Sequence, residues 1–235
     1  MEKCIFDCLL LCKDFLLQEN LYIIKGNQKY TSPKEITVDG DWSNGAFFLC
    51  AGALSKEGVT VSRLDVNSPQ GDKKILEILR RMGAEVTVDG TDITVKRNRL
   101  FGTVVDAGDI PDLVPVISVV AAACEKGVTH IINAGRLRIK ESDRIQSVFS
   151  MLNEVGAAVS ETDDGLVIWS ENELVGRVVD GCNDHRIVMS AAVLSCECSL
   201  PVDITDYKAV EKSYPHFFND FNSLGGNANV INDGK

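Results

Sequence analysis

Four basic side chains lie within nine residues in the segment RLRIKESDR, at positions 136–144. Such a density of basic groups suits a polyanionic ligand, because arginine and lysine form charge-assisted hydrogen bonds with phosphates and carboxylates. If residues 136–140 are extended, Arg136, Arg138 and Lys140 share one face, since side chains alternate along a strand. Taken alone, the segment fits a solvated, charged strand end equally well. It therefore predicts either an anion-binding strand or an exposed one.

The same segment ends where a helix is expected to begin. We expect the helix to start near Ser142, with Asp143 in its first turn and Arg144 close to its N-terminus. Glu141 adds a carboxylate beside these basic groups. The pattern thus places acidic and basic side chains together at a helix opening.

A second helix opening with polar side chains lies in GCNDHRIVM, at positions 181–189. Asp184, His185 and Arg186 are consecutive there, directly before an apolar helical stretch. A histidine alone at such a place is more often a capping or structural residue. Beside an arginine at a helix N-terminus, an anion site becomes the favoured interpretation, because the free backbone N–H groups attract anions.

Two further segments contain candidate residues. In GDIPDLVP, at positions 108–115, Pro111 suits a first helical position and places Asp112 in the first turn. Asp112 either interacts with the dipole of its own helix or, if it faces a ligand, serves as a general base. In KSYPHF, at positions 212–217, a basic residue precedes an amphipathic terminal helix, a pattern that is not specific by itself.

The composition excludes some classes of function. The formal net charge is −10 and the sequence pI is about 4.8, which argues against nucleic-acid and membrane-surface partners. The apolar run in the first 17 residues is interrupted by Asp7, Lys13 and Asp14, so neither a membrane span nor a secretory signal fits. A cytoplasmic location is predicted.

The eight cysteines are predicted to be reduced thiols of a cytosolic protein. Cys4, Cys8 and Cys12 fall on one face of a predicted helix. We interpret them as buried apolar residues, since no further ligand follows at a zinc-site spacing. No metal ion is expected.

An internal repeat indicates which elements position these residues. The segments at 36–48, 103–115 and 177–189 each run from a short strand through an Asp-bearing turn into a helix. The segments at 78–95 and 151–168 each read as helix, Gly-Ala stop, strand, turn and strand. The offset is about 70 residues in each comparison, so the recurring unit is β-α-β-α-β-β.

This unit is predicted twice in full, over about 33–97 and 101–170, and once over about 175–235 without its last strand. Together the three units are expected to form one domain at 33–235. Residues 1–32 do not fit the unit and are interpreted as the remnant of a preceding amino-terminal domain plus a hinge.

Within this remnant, a helix is predicted at about 3–16 and a strand at 21–26. The alternative interpretation of the segment is a cap peculiar to this protein.

The first helix of each unit, predicted at 42–56, 112–126 and 184–197, is apolar on nearly all sides and should therefore be buried. The predicted class is α/β (α+β), with inner helices and outer sheets. If the inner helices are parallel, their positively polarised N-termini converge at one end of the domain. That end would attract anions through the basic side chains of Arg138, Lys140, Arg144, Arg186 and Lys212.

The segments IPD, RIKESDR, NDHRIVM and KSYP, with a GDWS turn at 40–43, resemble in order and spacing the 5-enolpyruvylshikimate-3-phosphate (EPSP) synthases. The resemblance extends from about Tyr22 to Gly225. It implies one domain of a two-domain, inside-out α/β barrel, in which each domain contains three such units. It also implies no metal and no organic cofactor.

The implied reaction, a step of the shikimate pathway, transfers the enolpyruvyl group of phosphoenolpyruvate to shikimate 3-phosphate. By this resemblance Asp112 is the proton acceptor and Glu141 exchanges protons at the phosphoenolpyruvate methylene. Lys140 contacts shikimate 3-phosphate. The resemblance also implies that His185 is one of the catalytic residues. It implies a substrate-binding role for Arg144, Asp184, Arg186 and Lys212.

The family's amino-terminal domain supplies a Lys-Ser pair, an arginine for phosphoenolpyruvate and a Ser-Ser-Gln segment, none of which has a counterpart in this sequence. The chain is therefore expected to need that missing domain as a partner and to be inactive alone. The alternative is a non-catalytic relative that binds a phosphorylated ligand or a protein partner.

Overall fold

A computed structural model describes residues 15–18, 21–27, 35 and 37–231. Its first element is an antiparallel hairpin of β1 (Phe15–Gln18) and β2 (Leu21–Ile24). The strand predicted at 21–26 is thus confirmed in its first part. The helix predicted at 3–16 lies outside the described residues, except for its last positions, which belong to β1.

The repeated units follow in order. The first contains α1 (Trp42–Leu54), β3 (Val59–Val61), α2 (Ile75–Arg81), β4 (Glu85–Asp89) and β5 (Asp92–Lys96). The second contains β6 (Val104–Asp106), α3 (Val114–Ala122), β7 (Val128–Ile132), α4 (Arg144–Glu154), β8 (Ala158–Thr162) and β9 (Gly165–Trp169). The third contains β10 (Val178–Val179), α5 (His185–Leu194), β11 (Asp203–Ile204) and α6 (Phe217–Ser223).

Each unit has its own sheet rather than a share in a continuous one. The strand order is β3-β5-β4 in the first unit, with all pairs antiparallel. In the second it is β6-β7-β9-β8, where β6 and β7 are parallel. In the third, β10 and β11 form a parallel pair. The mixed class with separate outer sheets is therefore confirmed.

Two details of the predicted repeat are wrong. The first unit has no opening strand over the described residues 37–40, where Val38 is 75% exposed and gains little burial that would stabilise a strand. The third unit has no described strand after α6, not merely a missing last one. There the Asn222 side chain bonds the backbone N–H and carbonyl of Ala228, at 2.7 and 2.9 Å, which turns the chain back toward α6.

The inner position of the first helix in each unit is confirmed. All nine residues of α3 are buried, as are ten of the thirteen residues of α1 and nine of the ten residues of α5, and the three helices pack against one another. The helix α4 is instead amphipathic: its Ile145, Val148, Met151 and Leu152 face the core. An apolar surface on all sides is stable only inside a domain, which is why these three helices form its centre.

A cluster of aromatic side chains packs α6 against these central helices. Phe217 in α6 is fully buried, and its ring lies 5.3 Å from that of Phe48 in α1 and 5.8 Å from that of Tyr214. Truncating a buried phenylalanine removes apolar contacts and leaves a cavity. We expect Phe217→Ala to lower the free energy of unfolding by about 3–5 kcal/mol, measured by urea denaturation.

Phe101, whose side chain is 43% exposed, provides the matched control. Phe101→Ala should change stability far less, because little buried area is lost. Equal losses for the two variants would contradict the anchoring role of Phe217.

Candidate functional site

The N-termini of the inner helices lie at one end of the domain. Arg186, in the first turn of α5, donates from Nη2 to Asp112 Oδ2 at 3.2 Å and from Nη1 to the Asp112 carbonyl at 3.3 Å. Asp112 belongs to the short 3-10 turn Pro111–Leu113 that leads into α3. The ends of α3 and α5 are therefore joined directly, as parallel packing of the helices predicts.

The opening of α1 lies at the same end. Its second residue, Ser43, donates a hydrogen bond to the carboxylate of Asp72. Burial raises the Asp72 pKa, while the Ser43 bond and the charge of Arg186 oppose this shift. Sequence reasoning missed Asp72, which is buried; its position after Pro69-Gln70-Gly71 resembles an ordinary turn.

Asp112 is surrounded by three basic groups. Its Oδ1 lies 2.7 Å from Arg144 Nη1 and 3.5 Å from Lys140 Nζ, and its Oδ2 is bonded to Arg186. Burial opposes ionisation of Asp112, but the charges of Arg186, Lys140 and Arg144 outweigh it, so its pKa is lowered. The side chain is 30% exposed. Asp112 is thus an ionised carboxylate at neutral pH with access to the surface.

Arg144 is surrounded in turn by three carboxylates. Its Nε donates to Asp184 Oδ2 at 2.7 Å, its Nη1 to Asp112, and its Nη2 to Glu141 Oε2. Its side chain is only 1% exposed. The expectation that Arg144 belongs to an exposed basic surface is therefore wrong for this arrangement: it is an internal cation, and Lys140 and Arg186 are the nearby basic groups closer to solvent.

Asp184 connects two helix openings. Asp184 is the N-cap of α5, and its Oδ1 accepts a hydrogen bond from the Arg186 backbone N–H at 2.9 Å. Its Oδ2 accepts a hydrogen bond from Ser142 Oγ at 3.1 Å, in addition to the one from Arg144. Burial opposes its ionisation, but the bond and charge of Arg144 outweigh burial and lower its pKa. Because Asp184 is fully buried, its contacts in this structure position Arg144 rather than meet a ligand.

His185 begins α5 and is 7% exposed. Its buried Nδ1 has no hydrogen-bond partner among the described residues and lies 3.9 Å from Asp184 Oδ1. Burial, followed by the charge of Arg186, lowers the His185 pKa, which favours the neutral ring at neutral pH. Buried polar atoms normally have a partner, so Nδ1 retains an unused bonding capacity beside the site.

Lys212 is also brought to the opening of α5. It ends the 3-10 turn Tyr207–Lys212, and its Nζ lies 3.0 Å from Asn183 Oδ1 and donates also to the Asn183 carbonyl. The next residue, Ser213, accepts a bond from Asn44 Nδ2 of α1 at 3.3 Å. The terminal segment therefore bridges the openings of α1 and α5.

The strand predicted at 136–140 is wrong, because Gly135–Ile139 forms a 3-10 turn. Arg138 is not part of the site: it forms ion pairs with Asp143 at 3.0 Å and with Glu161 at 2.8 Å. These pairs curl the segment against the end of β8. The helix that follows starts at Arg144, with Asp143 as its N-cap, close to the predicted start.

Six of the eight predicted site residues form one connected ionic cluster, which we call the 112 cluster: Asp112, Lys140, Glu141, Arg144, Asp184 and Arg186. His185 and Lys212 lie beside it, at the opening of α5. The three basic and three acidic side chains of the cluster balance in formal charge. The fixed positive charge can bind an anion. The accessible carboxylate beside it can accept a proton from that anion or from a second ligand bound next to it.

Two kinds of feature are absent from the described part of the chain. No group of three or more histidine, cysteine, aspartate or glutamate side chains is arranged to hold a metal ion. No described helix has both the length and the apolar character needed to cross a bilayer. The cysteines at 4, 8 and 12, which were interpreted as buried apolar residues, lie outside the described residues.

The chain belongs to the EPSP synthase (3-phosphoshikimate 1-carboxyvinyltransferase) family, whose model matches residues 17–221. It is 47% identical over 205 residues to the 3-phosphoshikimate 1-carboxyvinyltransferase of Clostridium novyi, covering 87% of this chain and 46% of that one. The relative from Clostridioides difficile is 46% identical over 215 residues, covering 91% and 48%. The resemblance found in the sequence is confirmed, and the chain spans about half the length of these curated relatives.

Solved structures agree with this assignment. An EPSP synthase from Acinetobacter baumannii matches with a TM-score of 0.80 at 28% identity, over 92% of this chain and 52% of that one. The enolpyruvyl transferase NikO from Streptomyces tendae matches with a TM-score of 0.75 at 17% identity, covering 96% and 53%, which supports the fold alone.

Proposed function

We propose that this chain provides one half of an EPSP synthase active site, which transfers the enolpyruvyl group of phosphoenolpyruvate to shikimate 3-phosphate. The observation that carries the proposal is the accessible Asp112 carboxylate held among Lys140, Arg144 and Arg186, in a member of this family. An addition–elimination through a tetrahedral intermediate needs such a pairing of a proton acceptor with fixed positive charge. No metal or organic cofactor is required.

In the addition step, the 5-hydroxyl oxygen of shikimate 3-phosphate bonds to the central carbon of phosphoenolpyruvate. Asp112 accepts the hydroxyl proton, and Glu141, whose side chain is 44% exposed, delivers a proton to the methylene carbon. Elimination returns one proton of the methyl group to Glu141 and expels phosphate, which takes the proton held by Asp112, and it leaves the enolpyruvyl ether. The roles of both carboxylates rest on the family resemblance, and their positions on either side of Arg144 support them.

The remaining candidates are proposed to bind substrate. Lys140 is assigned to shikimate 3-phosphate, and Arg186 and Lys212 to phosphoenolpyruvate. Arg144 completes this set, although in this structure it is enclosed by carboxylates. His185 is proposed to act in the same site through its unpartnered Nδ1.

We further propose that the domain formed by residues 33–235 requires the family's amino-terminal domain for activity. Its coverage of about half of each relative supports this. Losing half of the groups that hold two substrates in a reactive geometry costs many orders of magnitude in rate. A cytoplasmic location is proposed as well, supported by the acidic composition and the biosynthetic nature of the family.

A chimaera tests this proposal: the amino-terminal half of the Clostridium novyi relative fused ahead of this chain, assayed for phosphate release from the two substrates. We expect no measurable turnover from the 235-residue chain alone and enzymatic turnover from the chimaera. Turnover by the isolated chain at ordinary enzyme rates would contradict the need for a second half. A folded chimaera that binds phosphate without turnover would support the non-catalytic alternative instead.

A further inference from the structure

A short irregular stretch, residues 140–142, precedes α4 and carries two of the proposed functional side chains. Lys140 extends to Asp112, and Glu141 extends to Arg144. In the part of the chain that the structure describes, the backbone groups of this stretch form no hydrogen bond with another backbone group. Its position therefore depends on side-chain contacts and on how its two ends are held.

Arg138 joins the two ends of this stretch. Its Nη1 donates to Asp143 Oδ2 at 3.0 Å, across five positions of the chain. Asp143 is also the N-cap of α4, and its Oδ1 accepts a hydrogen bond from the Gln146 backbone N–H at 3.2 Å. One carboxylate thus holds the start of the helix with one oxygen and Arg138 with the other, which closes a loop around residues 140–142.

The other donors of Arg138 hold this loop against the end of β8 and the turn that follows it. Its Nε donates to the Asp163 carbonyl at 3.2 Å, and its Nη2 donates to the Thr162 carbonyl at 2.9 Å. The same Nη2 pairs with Glu161 at 2.8 Å. A guanidinium can serve several acceptors at once, because its five N–H groups point in fixed directions within one plane. Arg138 therefore fixes the loop relative to the sheet as well as closing it.

We propose that Arg138 is a positioning residue, which holds residues 140–142 so that Lys140 and Glu141 reach the 112 cluster. This inference rests on the proposed function, in which those two side chains serve shikimate 3-phosphate binding and proton exchange. Since its guanidinium is engaged by Asp143 and by the end of β8, Arg138 acts through the loop rather than by contact with a substrate. A loop with unfixed ends samples more backbone conformations, and displacing a catalytic group by about 1 Å can cost about a hundredfold in rate.

The first test measures steady-state phosphate release by the chimaera after Arg138→Ala. We expect the turnover number to fall about 10–100-fold and the KM for shikimate 3-phosphate to rise about tenfold, since Glu141 and Lys140 are both displaced. The KM for phosphoenolpyruvate should stay within about twofold, because Arg186 and Lys212 lie on other elements. A lower turnover number with both KM values unchanged would indicate only a smaller folded fraction and would overturn the proposal.

Arg136→Ala is the matched control. Arg136 belongs to the same 3-10 turn, but its side chain is exposed and its guanidinium forms no ion pair or hydrogen bond with the described residues. Its replacement removes the same charge and should leave the turnover number and both KM values unchanged. Changes equal to those of Arg138→Ala would reduce the effect to local charge and overturn the proposal.

Asp143→Asn tests the closing contact without removing the helix cap. Asparagine is also a good N-cap, but it lacks the second carboxylate oxygen that accepts from Arg138. We expect this variant to reproduce the changes of Arg138→Ala in part, and the double variant to be no worse than Arg138→Ala alone. Fully additive effects would show that the two residues act separately, which contradicts a shared closing contact.

A second measurement needs no catalysis: ¹⁵N relaxation of the purified 235-residue chain. We expect backbone order parameters for residues 140–142 to fall below about 0.6 in Arg138→Ala and to stay near about 0.85 in the unmodified chain and in Arg136→Ala. Unchanged order parameters would overturn the proposal whatever the chimaera does, and turnover of the unmodified chimaera would then still support the enzyme function. An inactive chimaera together with the loss of order would reject the enzyme function and retain the positioning role of Arg138.

Discussion

Replacing Arg144 with alanine should lower the free energy of unfolding by about 3–5 kcal/mol. Arg144 is 1% exposed and bonds three carboxylates, of which Asp184 is fully buried. Without the guanidinium, Asp184 retains its charge inside the domain with only the Ser142 hydroxyl and a backbone N–H as partners. Removing one member of a buried ion pair is costly because the other charge stays desolvated.

Urea denaturation of the isolated chain measures this effect, with two comparisons. Arg144→Lys keeps the charge but cannot direct separate donors to three carboxylates, so we expect an intermediate loss. Lys74→Ala removes an exposed pair with Asp109, whose side chains are 50% and 82% exposed, and should cost about 0–1 kcal/mol. A loss for Arg144→Ala no larger than that for Lys74→Ala would show that the 112 cluster does not stabilise the domain.

In the chimaera, Asp112→Asn should reduce the turnover number by about 10²–10⁴-fold, the usual contribution of a general base. Asparagine preserves the size of the side chain, and its amide oxygen can still accept the hydrogen bond from Arg144. The geometry of this contact should therefore change little. Asparagine cannot accept the hydroxyl proton. The same variant is expected to bind inorganic phosphate more tightly, because one negative charge beside Lys140 and Arg186 is removed. This separates a loss of proton transfer from a loss of anion binding.

Steady-state phosphate release and the phosphate inhibition constant measure both effects on one protein. Glu57→Gln in the chimaera serves as the control. Glu57 is exposed beyond the C-terminal end of α1, so its replacement should leave both quantities unchanged. Turnover within a few-fold of the unmodified chimaera would exclude Asp112 as the proton acceptor. A larger phosphate inhibition constant, which means weaker phosphate binding, together with reduced turnover would instead indicate that the variant disrupts binding.

Local sequence pattern was sufficient for the inner helices and for their starting points. The stretches that became α1, α3 and α5 are apolar around their whole circumference, and only burial at the centre of a domain stabilises such a helix. Asp41 and Asp184 precede two of them and cap the first backbone N–H groups. Because capping and periodicity depend on neighbours within one turn or two, the amino-acid order alone determines them.

Local sequence pattern did not predict the backbone conformation at 136–140. Alternating basic residues are typical of a strand, yet Arg138 pairs with Glu161 on another element and the segment curls into a 3-10 turn. Likewise, the bonds from Asn222 to Ala228 replace the expected strand after α6. In both places a specific side-chain contact outweighed a weak local preference for extended backbone.

The sequence by itself determined the family, the repeated unit and the identity of all six residues in the 112 cluster. Only the tertiary structure decided how their charges are distributed. Arg144 meets Asp112 and Asp184 across 32 and 40 residues of chain, and these contacts convert an expected basic surface into a balanced cluster with a buried cation. Residue types indicate which charges are present, but Coulomb interactions depend on distance and burial, which arise only when the helix openings are packed together.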